Sequence, residues 1–323
     1  MTPNSVSVVI PAYNAESFIV DALDSLTRQT VLPDEVVIVD DGSKDGTSDA
    51  INAWKKSSLP GFPVHLIRQA NGGLPVARNV GISGSVAKWI ALLDADDIWE
   101  PDHLAVLLDA AAHVPDAVAA YGAGRLLVDG VVQQGRYDDY WDSPSRKLGV
   151  AVEGDLGYLK IDFSAFGRLV KGNFIKPSSL MFSREVAVAI GLFNEKLRTA
   201  EDREFLVRLL RAGDFVYAPA TITQYRWHED NISQGKNARR NSENALRALK
   251  LIAENAELQL GPDERQACEQ VVGEAAVGYL YLSVREGRQA YLEGLRFLAG
   301  SFGWGLVLRS LRPKHLLKLI VRA

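Results

Sequence analysis

Apolar and polar positions come in short alternating blocks over the first hundred residues. Val6–Ile10 is a β-branched run closed by Pro11, which predicts a buried strand. Ala15–Thr30 follows with Phe18, Ile19, Ala22, Leu23 and Leu26 at helical spacing. The same reading predicts strands at Glu35–Asp40, Val64–Arg68 and Trp89–Leu93, separated by helices at Asp45–Lys56 and Pro75–Val86. Strands and helices alternating at this pitch imply a mostly parallel α/β sheet flanked by helices. Ligands of such sheets bind at the carboxyl ends of the strands. The polar residues gather at those ends: Tyr13 and Asn14, Asp40 and Asp41, Asn71, then Asp94, Asp96 and Asp97.

Beyond Leu126 the pattern loosens. Residues 133–170 mix aromatic residues with Gly, Asp and Ser and read as an irregular loop or lid. Ser179–Ser183 predicts a strand, Glu185–Ile190 a short helix and Arg203–Ala212 a longer one. Val216–Tyr225 reads as a strand pair, or one strand turning at Pro219, and from Ser242 the chain reads as helical. The expected division is residues 1–235, in halves 1–125 and 126–235, with a helical extension over 236–323.

Composition narrows the class. The 323 residues suffice for one large domain or two modest ones, and 47% hydrophobic with 24% charged residues is ordinary for a globular chain. A net charge of −4 argues against a dedicated nucleic-acid binder. A single cysteine, Cys268, forms no intrachain disulfide. With no signal segment before Val6 and no long apolar run, the expected location is the cytoplasm.

Four segments carry candidate chemistry. Asp94, Ala95, Asp96 and Asp97 follow an apolar strand, and carboxylates two apart share one side of an extended segment, suited to a hard divalent cation. Asp97 and Asp102 could instead cap a helix starting near Pro101. Asp41 can accept from a nucleobase N–H, with Gly42 allowing the turn. Asn71-Gly72-Gly73 precedes a helix whose Arg78 could reach a phosphate or base. Glu201 and Asp202 open a helix, where adjacent side chains point about 100° apart, so only one can serve a given hydroxyl. A carboxylate there stays ionised, as a general base requires, though the pair could also serve only as a cap.

The ordered series Val9–Asn14, Val39–Ser43, Asn71-Gly72 with Ala77-Arg78-Asn79, and Asp94-Ala95-Asp96 resembles the family 2 inverting glycosyltransferases of the GT-A fold. The resemblance implies a nucleotide-diphospho-sugar transferase fold with a C-terminal helical extension. It implies transfer from a nucleotide-sugar, UDP-linked, to a glycan or lipid-linked acceptor in surface polysaccharide or glycolipid synthesis. Pro11, Ala12, Tyr13 and Asp41 would hold nucleobase and ribose, with Asn71, Arg78, Asp94 and Ala95 beside the nucleotide. Asp96 would ligate Mn²⁺ or Mg²⁺, Asp202 would be the catalytic base, and His228 or Arg226 would approach the metal-diphosphate.

Other classes fit less well. Pro11–Ala15 lacks the glycines of a dinucleotide-binding turn, and no phosphate-loop motif occurs. A pyrophosphorylase also needs a glycine-rich first loop. The remaining alternative is a catalytically inactive nucleotide-sugar-binding subunit. Near the end, Trp304–Arg322 mixes Leu, Val and Ile with Arg and Lys and no acids, which suits either peripheral contact with an anionic membrane or a terminal helix docked on the protein.

Overall fold

The computed structural model describes residues 4–137, 144–152, 157–229, 231 and 235–313. In chain order the first half holds β1 (Val6–Ala12), α1 (Ile19–Thr27), β2 (Glu35–Asp40), α2 (Thr47–Ser58), β3 (Val64–Arg68), α3 (Leu74–Gly84) and β4 (Trp89–Leu92). Then come β5 (Ile98–Trp99), α4 (His103–Ala112), β6 (Ala117–Val128), β7 (Val131–Val132), α5 (Pro144–Leu148), β8 (Val150–Ala151) and β9 (Leu159–Ile161). The series continues with α6 (Phe166–Lys171), β10 (Leu180–Ser183), α7 (Arg184–Ala189), α8 (Glu201–Ala212) and β11 (Asp214–Trp227).

Strands of the described residues form one sheet in the order β3-β2-β1-β4-β10-β6-β11-β9-β8. β1 pairs in parallel with β2 and β4, and β2 with β3, as the alternating pattern requires. β10 runs antiparallel between β4 and β6, so the sheet becomes mixed in its second half. Its centre is dry: Val8, Val9 and Ile10 of β1 are fully buried. α1 covers it with Ile19, Ala22, Leu23 and Leu26, one apolar face at helical spacing.

The second half refines one expectation and departs from another. Of the two readings for Val216–Tyr225, the single strand is the one formed: β11 has 14 residues, and its pairing with β6 is irregular between Ala218 and Thr223, around Pro219. The stretch read as irregular over 133–170 contains α5, β8, β9 and the start of α6. These elements run only two to six residues, too few for periodicity to reveal. Its residues 138–143 and 153–156 lie outside the described set.

Contacts group the chain into two units. The first is residues 1–198 and 205–228; the second is 199–204 and 229–323, which brings the first turn of α8 into the second group. The second unit holds α9 (Ala238–Glu254), α10 (Pro262–Glu286), α11 (Arg288–Phe302) and α12 (Trp304–Ser310). Its core is Leu246, Tyr279, Leu280, Val284, Tyr291, Leu298, Leu306 and Val307. Gly287 separates α10 from α11 at φ +118°, a backbone that side chains disfavour. Cys268 is buried in α10, and its thiol is pushed up to about 11 by burial and then by Glu264 and Glu269. No helix among the described residues is long and apolar enough to cross a membrane.

Candidate active site

The strand order reverses direction between β1 and β4: the chain builds outward through β2 and β3, then returns to the other side of β1. That reversal leaves a crevice at the carboxyl ends of β1 and β4, the position where open α/β sheets bind ligands. Three loops converge on it. The loop after β1 is fastened to the loop after β2: Asn14 N–H donates to Ser43 Oγ at 2.9 Å, and Lys44 N–H donates to Asn14 Oδ1 at 2.9 Å. Tyr13 stands at the end of β1 with its side chain exposed, whereas Pro11 and Ala12 are buried within the strand.

The two acids after β2 do different work. Asp40 is fully buried; it accepts from Ser43 N–H at 2.9 Å and from Ser48 Oγ, with Arg68 Nε at 3.3 Å. Burial works to raise its pKa, but the Ser48 and Ser43 hydrogen bonds and the Arg68 charge outweigh it and hold the carboxyl below the ordinary value. Asp41, also buried, reaches across to the loop before α3. Its Oδ1 accepts from Gln69 Nε2 at 2.7 Å and Gly72 N at 2.8 Å, and its Oδ2 from Gly73 N at 2.8 Å. An ionised carboxylate offers about four acceptor positions, so three N–H groups leave room for one more. Gly42, at φ +76°, admits this approach: a Cβ there would stand 2.8 Å from Asn71 N. Asn71 is exposed at the tip of the loop.

Residues 94–97 form a turn rather than the extended segment expected, closed by Asp97 N–H donating to Asp94 O at 3.1 Å. A turn sends neighbouring carboxylates in different directions. Asp94 faces Arg78, whose Nη2 lies 2.8 Å from Asp94 Oδ1. Arg78 is 1% exposed and stacks 5.4 Å from the Phe193 ring, so it braces Asp94 from within the protein. Asp96 faces His228, with Oδ2 and Nε2 3.0 Å apart, and the His228 ring leans on Phe18 at 4.6 Å. Ala95 is buried between them in sequence. Asp97 points inward to Ser178 Oγ at 2.5 Å and Arg226 N at 3.0 Å, and so does not cap a helix. Burial, then the Asp96 and Asp94 charges, hold its pKa well above the ordinary carboxylate value. α4 begins after Asp102, which makes no side-chain capping bond.

Arg226 supports the turn. Its Nε donates to Asp96 O at 2.9 Å and its Nη2 lies 2.6 Å from Asp21 Oδ2. The sequence reading overlooked this bracing by Ser178 and Arg226, and also Asn79, which holds the Phe193–Glu195 loop through Phe193 N, Phe193 O and Glu195 Oε1. Buried Ser and Asn before or within an apolar element are the only sequence signal such bracing leaves. Asp202 lies in the first turn of α8, in the segment grouped with the second unit, where its Oδ1 accepts from Arg203 N–H at 2.8 Å.

A metal would find Asp96 and His228 adjacent. Among the described residues no group of three or more His, Cys, Asp or Glu side chains forms a complete ion site. One carboxylate and one imidazole suit a transition-metal dication such as Mn²⁺ better than Mg²⁺, which prefers oxygen donors, and substrate phosphates and water would have to complete the shell.

Comparison with known proteins agrees with this architecture. The profile of Glycosyl transferase family 2 matches residues 7–168, half of the chain. The chain is 28% identical over 232 residues to Bacillus subtilis strain 168 TuaG, named as a teichuronic acid biosynthesis glycosyltransferase, covering 72% of this chain and 82% of TuaG. It is 29% identical over 230 residues to Pasteurella multocida strain Pm70 chondroitin synthase, covering 71% of this chain but only 21% of that enzyme. In three dimensions it resembles S. aureus TarS 1-349 in complex with UDP-GlcNAc, with a TM-score of 0.63, 19% identity and coverage of 98% and 88%. A mannosyltransferase from Pyrobaculum calidifontis, in complex with GDP-Man and Mn²⁺, gives a TM-score of 0.61 at 17% identity, covering 98% and 86%. These likenesses place the fold with the GT-A transferases. With the crevice at the β1–β4 reversal and the acidic turn beside it, the chain belongs to glycosyl transferase family 2.

Proposed function

We propose that the chain moves a sugar, with inversion, from a UDP-sugar to a hydroxyl of a glycan or lipid-linked acceptor in polysaccharide or glycolipid synthesis. One observation carries the reading: the Asp94–Asp97 turn stands at the β1–β4 reversal with Asp96 turned to His228. UDP is supported by the UDP-GlcNAc complex of TarS, and a divalent cation by the Mn²⁺ complex of the mannosyltransferase. Residues 1–235 would be the catalytic domain and 236–323 its helical extension.

In this reading the nucleobase packs on Tyr13 and uses the acceptor position left on Asp41, with Asn71 at the same loop. Pro11, Ala12 and Ala95 shape the floor through their backbone, and Asp94, braced by Arg78, faces the donor ribose. Asp96 and His228 would hold Mn²⁺ or Mg²⁺, which stabilises negative charge on the leaving diphosphate. The acceptor oxygen bonds to the anomeric carbon as the bond to the diphosphate oxygen breaks, and the hydroxyl proton passes to Asp202. The assignment to Asp202 rests on the Glu201-Asp202 pair opening α8.

The test is a screen of UDP- and GDP-sugars that measures nucleoside diphosphate released with and without Mn²⁺. Release from a UDP-sugar, faster with Mn²⁺, is expected. Binding without turnover across donors and acceptors would instead mark an inactive binding subunit.

Peripheral membrane contact through the C-terminal stretch is proposed on the exposed Trp304 and Leu308 beside Arg309 and Arg312. Because α12 also lays Leu306 and Val307 into the bundle core, the suitable test keeps those two and replaces Trp304 and Leu308 by Ser and Arg309 and Arg312 by Gln. Sedimentation with anionic vesicles should fall; no change would refute the contact.

A further inference from the structure

Ser178 is buried, 1% exposed, in the short turn Pro177–Ser179 that leads into β10. Its hydroxyl touches both ends of the acidic turn. Asp94 N–H donates to Ser178 Oγ at 3.0 Å, and Ser178 Oγ donates to Asp97 Oδ2 at 2.5 Å. A hydroxyl has one donor and two acceptor positions, so one oxygen closes the bracket around Ala95 and Asp96. The main chain of Ser178 is anchored in turn. Its carbonyl accepts from Trp99 Nε1 at 2.7 Å and from Thr223 Oγ1 at 3.1 Å. The outer side of the turn is held by Arg226, through Asp96 O and Asp97 Oδ1. The Asp96 carboxylate therefore projects from a backbone fixed on both sides.

We propose that Ser178 is a positioning residue that sets where the Asp96 carboxylate stands, so that divalent-cation affinity depends on the Ser178 hydroxyl. The proposal rests on the reading of Asp96 as a metal ligand. Ser178 touches no reacting atom; it acts by removing the freedom of the turn. Groups hydrogen-bonded directly to a metal ligand commonly change metal affinity about 10- to 100-fold when removed, and Ser178, which holds the turn rather than the Asp96 carboxylate itself, belongs at the low end of that range. Alanine at 178 would lose both hydroxyl bonds at once.

The experiment measures Mn²⁺ binding in the presence of UDP, from the electron paramagnetic resonance signal of free Mn²⁺. It compares wild type, Ser178→Ala, Thr223→Val and Asp96→Asn, with the melting temperature and metal-free UDP affinity of each. Ser178→Ala should weaken Mn²⁺ binding about 10-fold while metal-free UDP affinity holds. Thr223→Val, which loosens only the Ser178 carbonyl, should act in the same direction but less, and serves if Ser178→Ala does not fold. Wild-type Mn²⁺ affinity in folded Ser178→Ala, with loss in Asp96→Asn, overturns the role of Ser178 alone and makes any melting change purely structural. If wild type binds no Mn²⁺, or Asp96→Asn binds it equally, the metal reading falls and this inference with it.

Discussion

Replacing Asp41 by Asn gives a near-isosteric side chain with one acceptor oxygen exchanged for a donor. In the native protein three N–H groups point at the carboxylate: Gln69 Nε2 and Gly72 N on Oδ1, and Gly73 N on Oδ2. The amide keeps two of these best by placing its oxygen toward Gln69 and Gly72, which sets its NH₂ against Gly73 N–H. A hydrogen bond to a charged group contributes roughly 1.5–3 kcal/mol and a neutral one roughly 0.5–1.5. One charged bond lost and two made neutral sum to about 5 kcal/mol. Asp41 is only 3% exposed, so water does little to make up the difference. In a unit of this size that is a fall in melting temperature of about 10–20 °C. Urea titration followed by tryptophan fluorescence suits the measurement, because Trp54, Trp89 and Trp99 are all buried in the first unit. Loss below about 1 kcal/mol would show that these three bonds do not anchor the Asn71–Gly73 loop.

Three further outcomes are expected. Asp202→Asn should lower the transfer rate about 100-fold or more while UDP binding persists; loss of both would make the residue structural. His103 is fully buried, stacked on Trp99 at 3.7 Å, with Nδ1 2.9 Å from Ile222 O; burial drives its pKa down to about 3, against a smaller opposing effect of that hydrogen bond. The unfolded chain therefore binds a proton on His103 that the folded chain refuses. Stability is whole above the ordinary value of 6.5 and falls by up to about 1.4 kcal/mol per pH unit from there toward 3. His103→Phe should flatten that slope in urea titrations between pH 7 and pH 5, and equal slopes would refute it. Ser48→Ala should weaken the depression of the Asp40 pKa. Its cost, about 1–2 kcal/mol at pH 7, should shrink as pH falls below the ordinary value of 3.8, and a cost constant to pH 3 would refute the link.

The local pattern was enough for the first half of the fold. Glu35–Asp40 and Val64–Arg68 form strands over the residues read for them. The Val36–Val39 run of β2 is apolar on both faces, as a buried parallel strand requires, whereas β3 lies at the sheet edge with His65 and Arg68 exposed. The acids at the strand ends were equally legible, since polar residues closing apolar strands stand at the rim of a sheet. What those acids face was not. Whether Asp94 meets Arg78, Asp96 meets His228 and Asp97 meets Ser178 depends on a turn whose partners lie 16, 132 and 81 residues away. Asp40 and Asp41 are adjacent in the sequence, yet one braces its own turn and the other binds the next loop. Sequence spacing determines which side chains arrive at the sheet edge, because the strand period and burial are local. Only the tertiary structure decides which carboxylate remains turned outward, because buried polar groups must be paired and their partners come from distant strands.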